Sequence, residues 1–141
     1  MRVYVSGPMR GHRKFNFPMF DSVTAVLRRE GFDVDSPAEH DRETQPGIEQ
    51  WDGFEDGDEK RCPSFDYTTA MRWDLQCVAR DEAIVLLPGW KSSTGARIER
   101  FVAEQTGSLI YLAIPDSEHE GEWLIRPDLC GPCMTAPQVA S

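Results

Sequence analysis

Five consecutive apolar residues, Ala83-Ile84-Val85-Leu86-Leu87, constrain the fold of this chain more than any other stretch in it. The run follows Asp81-Glu82 and stops at Pro88-Gly89, which gives it the length of a strand. Hydrophobicity without alternation marks a strand covered on both faces, the condition of a parallel sheet between two layers of helices. The remainder of the chain must supply those layers.

Val3-Tyr4-Val5 reads as a first strand ending in Ser6-Gly7-Pro8. From Asn16 onward Phe20, Val23 and Leu27 recur at helical spacing; Pro18 is tolerated in the first turn and Gly31 supplies the stop. Phe32-Asp33-Val34-Asp35 alternates as a second strand and Ser36-Pro37 closes it. Residues 38–63 are charged, rich in Gly and Asp, and without a sustained period, which predicts a long loop able to cover a site. Tyr67 to Arg80 predicts a helix with Met71, Leu75 and Val78 on one face. After the apolar run, Ile98, Phe101, Val102 and Gln105 mark another helix ending at Gly107, and 109–114 is the last clear strand, closed by Pro115. The tail, 116–141, is polar and has one weak apolar patch at Trp123-Leu124-Ile125, to pack on the domain or on a neighbouring subunit.

Strands that alternate with helices specify a three-layer α/β domain with right-handed crossovers. We expect one domain over 1–115, with a parallel sheet of four or five strands in the order 2-1-3-4(-5). In that order the loops after the first and third strands flank one crevice at the carboxyl edge of the sheet, where ligands bind.

Charge narrows the possible partners. The 141 residues carry a formal charge of -9, and a field of that sign repels nucleic-acid polymers and anionic membranes. No apolar run is long enough to span a bilayer, and Met1-Arg2-Val3-Tyr4 enters a strand with no leader pattern, so a cytoplasmic protein is expected. Of Cys62, Cys77, Cys130 and Cys133, only Cys130-Gly131-Pro132-Cys133 has a motif spacing. Redox chemistry of that motif needs a helix N-terminus after a strand, and a zinc site using all four lacks a second paired motif. Ordinary thiols are the expected reading, with no metal and no cofactor.

The loop Pro88 to Gly95 leads into a helix in which Ser93 or Thr94 serves as cap and Glu99 follows about one turn later. Helical side chains lean toward the N-terminus, so the Glu99 carboxylate overhangs Gly95 and Ala96, which are too small to fill the space above them. A glutamate in the first turns of a helix also serves plain electrostatics. Asp74 takes the i+3 place in the Met71, Leu75, Val78 stripe, either at the sheet's carboxyl edge or paired with an arginine. Asp81 reads as a turn residue. Arg10, His12, Arg13 and Lys14 crowd the loop after the first strand, to hold one small anion or to remain a solvated basic loop. Trp51, Phe54, Phe65 and Trp90 are candidates for the wall of a pocket or for core anchors. Two carboxylates, a floor of small residues and the Tyr4 phenol fit glycosidic-bond chemistry, in which one carboxylate attacks an anomeric carbon while an acid assists the leaving group.

These stretches, VYVSGPMRG, the helical WDL with Asp74, DEAIVLLPGW, and SSTGARIE ending at Glu99, resemble the nucleoside 2-deoxyribosyltransferase superfamily, and within it a small group often found in phage genomes. The resemblance implies a flavodoxin-like fold, Glu99 as nucleophile, Tyr4 orienting its carboxylate, and Asp74 assisting the base. True transferases of the superfamily typically carry an aspartate where this chain has Ser93. A serine there is similar to the 2'-deoxynucleoside 5'-monophosphate N-hydrolases, whose serine binds the phosphate and whose first loop compares with Gly7-Pro8-Met9-Arg10-Gly11. By that likeness Gly7, Met9, Arg10, Ser93 and Gly95 hold the phosphate, although Pro8 removes one N–H donor. The physics agrees, since an aspartate repels a phosphate that a hydroxyl and helix N-terminal amides attract. A homodimer or higher homo-oligomer is expected from the family alone. The resemblance implies an N-glycosidase of a nucleoside 5'-monophosphate, with a deoxynucleotide as the expected substrate. A base-exchanging deoxyribosyltransferase and a non-catalytic nucleotide-binding protein are the alternatives.

Overall fold

The structure, a computed structural model, describes residues 1–129; Cys130 and Cys133 lie outside them. Five strands, β1 (Arg2–Ser6), β2 (Asp33–Asp35), β3 (Ala83–Leu86), β4 (Leu109–Pro115) and β5 (Trp123–Pro127), form one sheet in the order β2-β1-β3-β4-β5. Four helices accompany them: α1 (Phe17–Arg29), α2 (Pro37–Thr44), α3 (Tyr67–Arg80) and α4 (Thr94–Gln105). This is the expected flavodoxin-like α/β sandwich. The first four strands are parallel, with Val3 opposite Val34 and Ala83, and Ala83 opposite Leu109.

Strand alternation divides the interior into two layers. Val3, Val5 and Val85 point to one face, where Phe17, Phe20, Val23 and Leu27 of α1 cover them. Tyr4, Ile84 and Leu86 point to the other, against Cys77 and Val78 of α3 and Ala103 of α4. Each fully buried aliphatic or phenyl side chain contributes about 1.5–3 kcal/mol to such a core. Among the described residues no helix is long and apolar enough to cross a membrane.

Several expectations need correction. The fifth strand is antiparallel, not part of a wholly parallel sheet: Ala113 pairs with Ile125 and Pro115 with Trp123. A short connection joins β4 to β5, and adjacent strands so joined run antiparallel, whereas a parallel pair needs a longer crossover. The weak apolar patch of the tail is therefore an edge strand, with Trp123 and Ile125 packed on the core and Leu124 exposed.

The stretch 38–63 is not an unstructured loop. It contains most of α2 and two short 3-10 turns, Ile48–Gln50 and Glu59–Arg61. Polar pairs hold α2 in place of an apolar stripe: Arg28 with Glu39, and Arg42 with Asp21 and Glu49. The segment also docks on the loop after β1. Gly11 donates its N–H to the Gly57 carbonyl at 2.9 Å and Lys14 to that of Glu55 at 3.2 Å. A Cβ on Gly57 would stand 2.0 Å from the His12 carbonyl oxygen, and its φ of +73° favours glycine besides.

The faces of two helices also differ from expectation. Ala70, Cys77 and Val78 are the buried residues of α3, while Met71 and Leu75 are only half-buried. In α4 the buried residues are Ala96, Glu99, Arg100 and Ala103, not the expected Ile98, Phe101, Val102 and Gln105. Their i, i+3, i+4, i+7 spacing is helical, yet two of the four are charged, so an apolar count selects the wrong face. Arg100 is neutralised by Glu104 at 3.0 Å and by Asp128.

Candidate functional site

The loops after β1 and β3 wall a cavity of about 420 Å³ at the carboxyl edge of the sheet. All eight residues singled out in the sequence, Tyr4, Gly7, Met9, Arg10, Asp74, Ser93, Gly95 and Glu99, line it. Of the basic loop, Arg10 and His12 reach the cavity wall, whereas Arg13 pairs with Glu55 and, like Lys14, is absent from it. Phe65 alone of the four aromatic candidates lines the cavity. Phe54 packs edge-on against Phe15 and Phe17, Trp90 lies beneath the Arg100 guanidinium, and Trp51 packs on the core.

Glu99 sits at the centre of the arrangement. The residue is 6 % exposed. The Tyr4 hydroxyl donates to its Oε2 at 2.7 Å and the Ser6 hydroxyl to its Oε1 at 2.6 Å. Both donors come from β1, two residues apart, which is why they share the face turned toward α4. Burial pushes the Glu99 carboxyl up to about 7, against the lowering pull of the two hydroxyls. Tyr4 is raised well above the ordinary phenol range by its own burial and by the negative charge of Glu99 and Asp74, so it remains a hydrogen-bond donor.

Asp74 comes in from α3 and is not paired with an arginine. Its Oδ1 is buried with no hydrogen-bond partner. Burial first, and the charges of Glu99 and Asp41 second, push its carboxyl up to about 9. Asp41 of α2 is a third carboxyl on the wall, pushed up to about 7 by burial and by Glu99. At neutral pH the cavity thus holds one carboxyl that is protonated, Asp74, and two near their midpoint. A partly ionised carboxylate beside a protonated carboxylic acid is a nucleophile or base paired with an acid.

The N-terminus of α4 forms another part of the wall. The Ser93 hydroxyl accepts the Ala96 N–H at 3.2 Å, so Ser93, not Thr94, is the cap. The first N–H groups of a helix have no intrahelical acceptor, which leaves those of Thr94 and Gly95 for an anion. Gly7 has a packing reason for its identity, since a Cβ there would meet the Leu87 Cβ at 2.7 Å. Gly95 has none: only Ser93 Oγ, at 4.0 Å, would be near.

Also on the cavity wall, the Arg10 guanidinium stacks 3.9 Å above the Tyr67 ring and pairs with Glu59 at 2.8 Å, and the Tyr67 hydroxyl donates to the same carboxylate. Strain lies close by. Lys14, Phe15 and Asn16 all have positive φ (54°, 51° and 62°), a conformation costly for residues with a Cβ. Asn16 offsets part of it by donating its side-chain N–H to the Pro8 carbonyl at 2.9 Å.

Sequence reasoning missed Ser6, Asp41 and Tyr67. Ser6 shares strand parity with Tyr4, a signal sufficient to find it. Asp41 had no such signal, because α2 lacks an apolar period. Asp81 caps the end of α3 as a turn residue does, but it is buried between Arg2 and Arg80 and away from the cavity. Cys62 is buried on the cavity wall and Cys77 in the core. Among the described residues no group of His, Cys, Asp and Glu is arranged to hold a metal ion.

No curated protein matches the chain. A family model described as a domain of unknown function, DUF4406, matches residues 1–112, a span that includes β1, β2, β3, the first half of β4 and every residue named on the cavity wall. The protein belongs to the DUF4406 family.

Proposed function

We propose that the protein is an N-glycosidase of 2'-deoxynucleoside 5'-monophosphates, releasing the free base and a sugar 5-phosphate. The observation that carries this reading is the state of Glu99: a buried carboxyl facing a cavity of substrate size, oriented by two hydroxyls, beside Asp74, whose buried Oδ1 has no hydrogen-bond partner. A carboxylate so oriented has a lone pair to offer C1', and partial desolvation makes it a better nucleophile.

In the proposed reaction a Glu99 oxygen bonds to C1' as the C1'–N bond breaks. The bond electrons leave with the base, and Asp74 supplies the proton that neutralises it. Water then attacks C1', gives its proton to the Asp74 carboxylate, and frees Glu99. The amides of Thr94 and Gly95, the Ser93 hydroxyl and Arg10 are suited to the 5'-phosphate. That capture is local, as a chain of net charge -9 requires. The resemblance to the superfamily supports the same residue roles.

Incubation with a panel of nucleotides and nucleosides, with and without Glu99→Gln, tests the reading. We expect base release from a monophosphate and a loss of about 10³-fold or more in the variant. Release that survives loss of the carboxylate ends the assignment. A second free base added to the mixture separates hydrolysis from exchange.

A further inference from the structure

Asp41 is 4 % exposed, lies on the cavity wall, and makes no side-chain hydrogen bond or ion pair with any described residue. Its neighbour Arg42, the nearest cation in sequence, is taken by Asp21 and Glu49. His40, on its other side, is stacked on Trp73 with ring centres 3.7 Å apart. A buried carboxyl without a partner is costly, and buried polar groups are as a rule hydrogen-bonded. The partner missing from the protein is therefore to be sought in the ligand.

We infer that Asp41 is the base-reading residue of the site and that it selects bases bearing an exocyclic amine, of the adenine or cytosine type, over their oxo counterparts. The inference rests on the glycosidase reading for the orientation of the ligand: with C1' at Glu99, the base extends toward Asp74 and Asp41. Asp74 on α3 is a donor at neutral pH and meets a ring acceptor. Asp41 on α2, near its midpoint at neutral pH, is an acceptor in its carboxylate form, the form that meets an N–H. Adenine presents N7 beside its N6 amine, and cytosine presents N3 beside its N4 amine. Hypoxanthine and uracil place a carbonyl where the amine stood, which sets an acceptor against a carboxylate and leaves both unsatisfied. Sites built around a buried polar partner reject such analogues strongly. With Asp41 as the carboxylate, the form that prevails above pH 7, the expected discrimination is about 10- to 100-fold.

Two measurements on the pairs dAMP/dIMP and dCMP/dUMP decide it. The first is kcat/KM for base release by the wild-type protein; the second is equilibrium binding to Glu99→Gln, which reads recognition without turnover. We expect at least one pair to favour the amino member about tenfold or more in binding, and Asp41→Asn, whose amide also donates, to bring that ratio within about threefold. Binding or turnover that treats both pairs alike overturns the inference and leaves the glycosidase reading standing. Discrimination in binding with no base release by the wild-type protein has the opposite effect. No binding of any of the four removes both. The wild-type ratios test the inference even where Asp41→Asn fails to fold, and an unchanged ratio in a folded Asp41→Asn refutes it.

Discussion

Replacing Tyr4 with phenylalanine deletes one hydroxyl from a fully buried position and leaves the ring packing in place. That hydroxyl donates to Glu99 at 2.7 Å. A hydrogen bond to a charged group contributes about 1.5–3 kcal/mol, and one pKa unit corresponds to about 1.36 kcal/mol. Losing the donor therefore raises the Glu99 carboxyl from about 7 by roughly one to two units, because the bond favours the charged form. At pH 7 the ionised share falls from about one half to between about one tenth and one hundredth, so base release slows roughly 5- to 50-fold by the same linkage. The shape of the pH profile separates this from a packing defect. The proposed reaction needs Glu99 ionised and Asp74 protonated, which predicts for the wild-type protein a bell with an acid limb near 7 and a basic limb near 9. Because the carboxyls interact, the limbs belong to the cluster as a whole. In Tyr4→Phe the acid limb moves up by more than the basic limb, because the Tyr4 hydroxyl is the smallest of the influences on Asp74, so the deficit shrinks as the pH approaches 9. A stopped assay of free base from pH 5 to 10, on a variant shown by melting to be folded, reads both limbs. An acid limb that does not move, with the rate lowered equally at every pH, would refute the coupling of Tyr4 to the Glu99 charge.

Gly7→Ala forces a Cβ to within 2.7 Å of Leu87, and urea unfolding should show a loss of about 1–3 kcal/mol; an unchanged midpoint contradicts the packing account. Asp41, Asp74 and Glu99 are all raised above their unfolded values, so the folded state holds protons that the unfolded chain has released. Stability then falls as pH rises from about 4 through about 9. Asp74→Asn should flatten that fall and gain about 1–3 kcal/mol on the wild type at pH 8, with little gain near pH 4, and melting at the two pH values checks it. Ser93→Asp preserves the helix cap, since aspartate caps as well as serine, but sets a carboxylate where the phosphate is proposed to bind. It should lower kcat/KM for the nucleotide about tenfold or more relative to the nucleoside, and an unchanged preference would place the phosphate elsewhere.

The sheet was legible because burial on both faces writes itself as an unbroken apolar run at 83–87, and because Gly31, Pro88 and Gly107 punctuate the elements. Asp74 was legible as a charge interrupting an apolar face, and Glu99 from its place one turn past a strand-to-helix loop. The faces of α3 and α4 were not, because counting apolar residues presumes that burial is apolar, and α4 buries Glu99 and Arg100. Polar contacts also concealed α2, whose stripe is replaced by ion pairs. Its start was nevertheless marked by Ser36-Pro37-Ala38-Glu39, a serine followed by proline at the first helical position and an acid three residues on. β5 escaped because an edge strand exposed on one face alternates weakly over only five residues. Asp41 followed α2 into obscurity: without the helix, nothing in the sequence gives the residue a direction.

Arg10 enters any encounter with an anion already matched to Glu59 and resting on Tyr67. An arriving phosphate would not find a vacant cation; it would take over from a resident carboxylate that belongs to the same chain and never diffuses away. Affinity at such a place measures the difference between two anions, so weak ligands of the right charge but the wrong shape are turned away by competition. Inorganic phosphate and free acidic metabolites, abundant around any protein, would then leave the cavity open to the molecule that fits all of it.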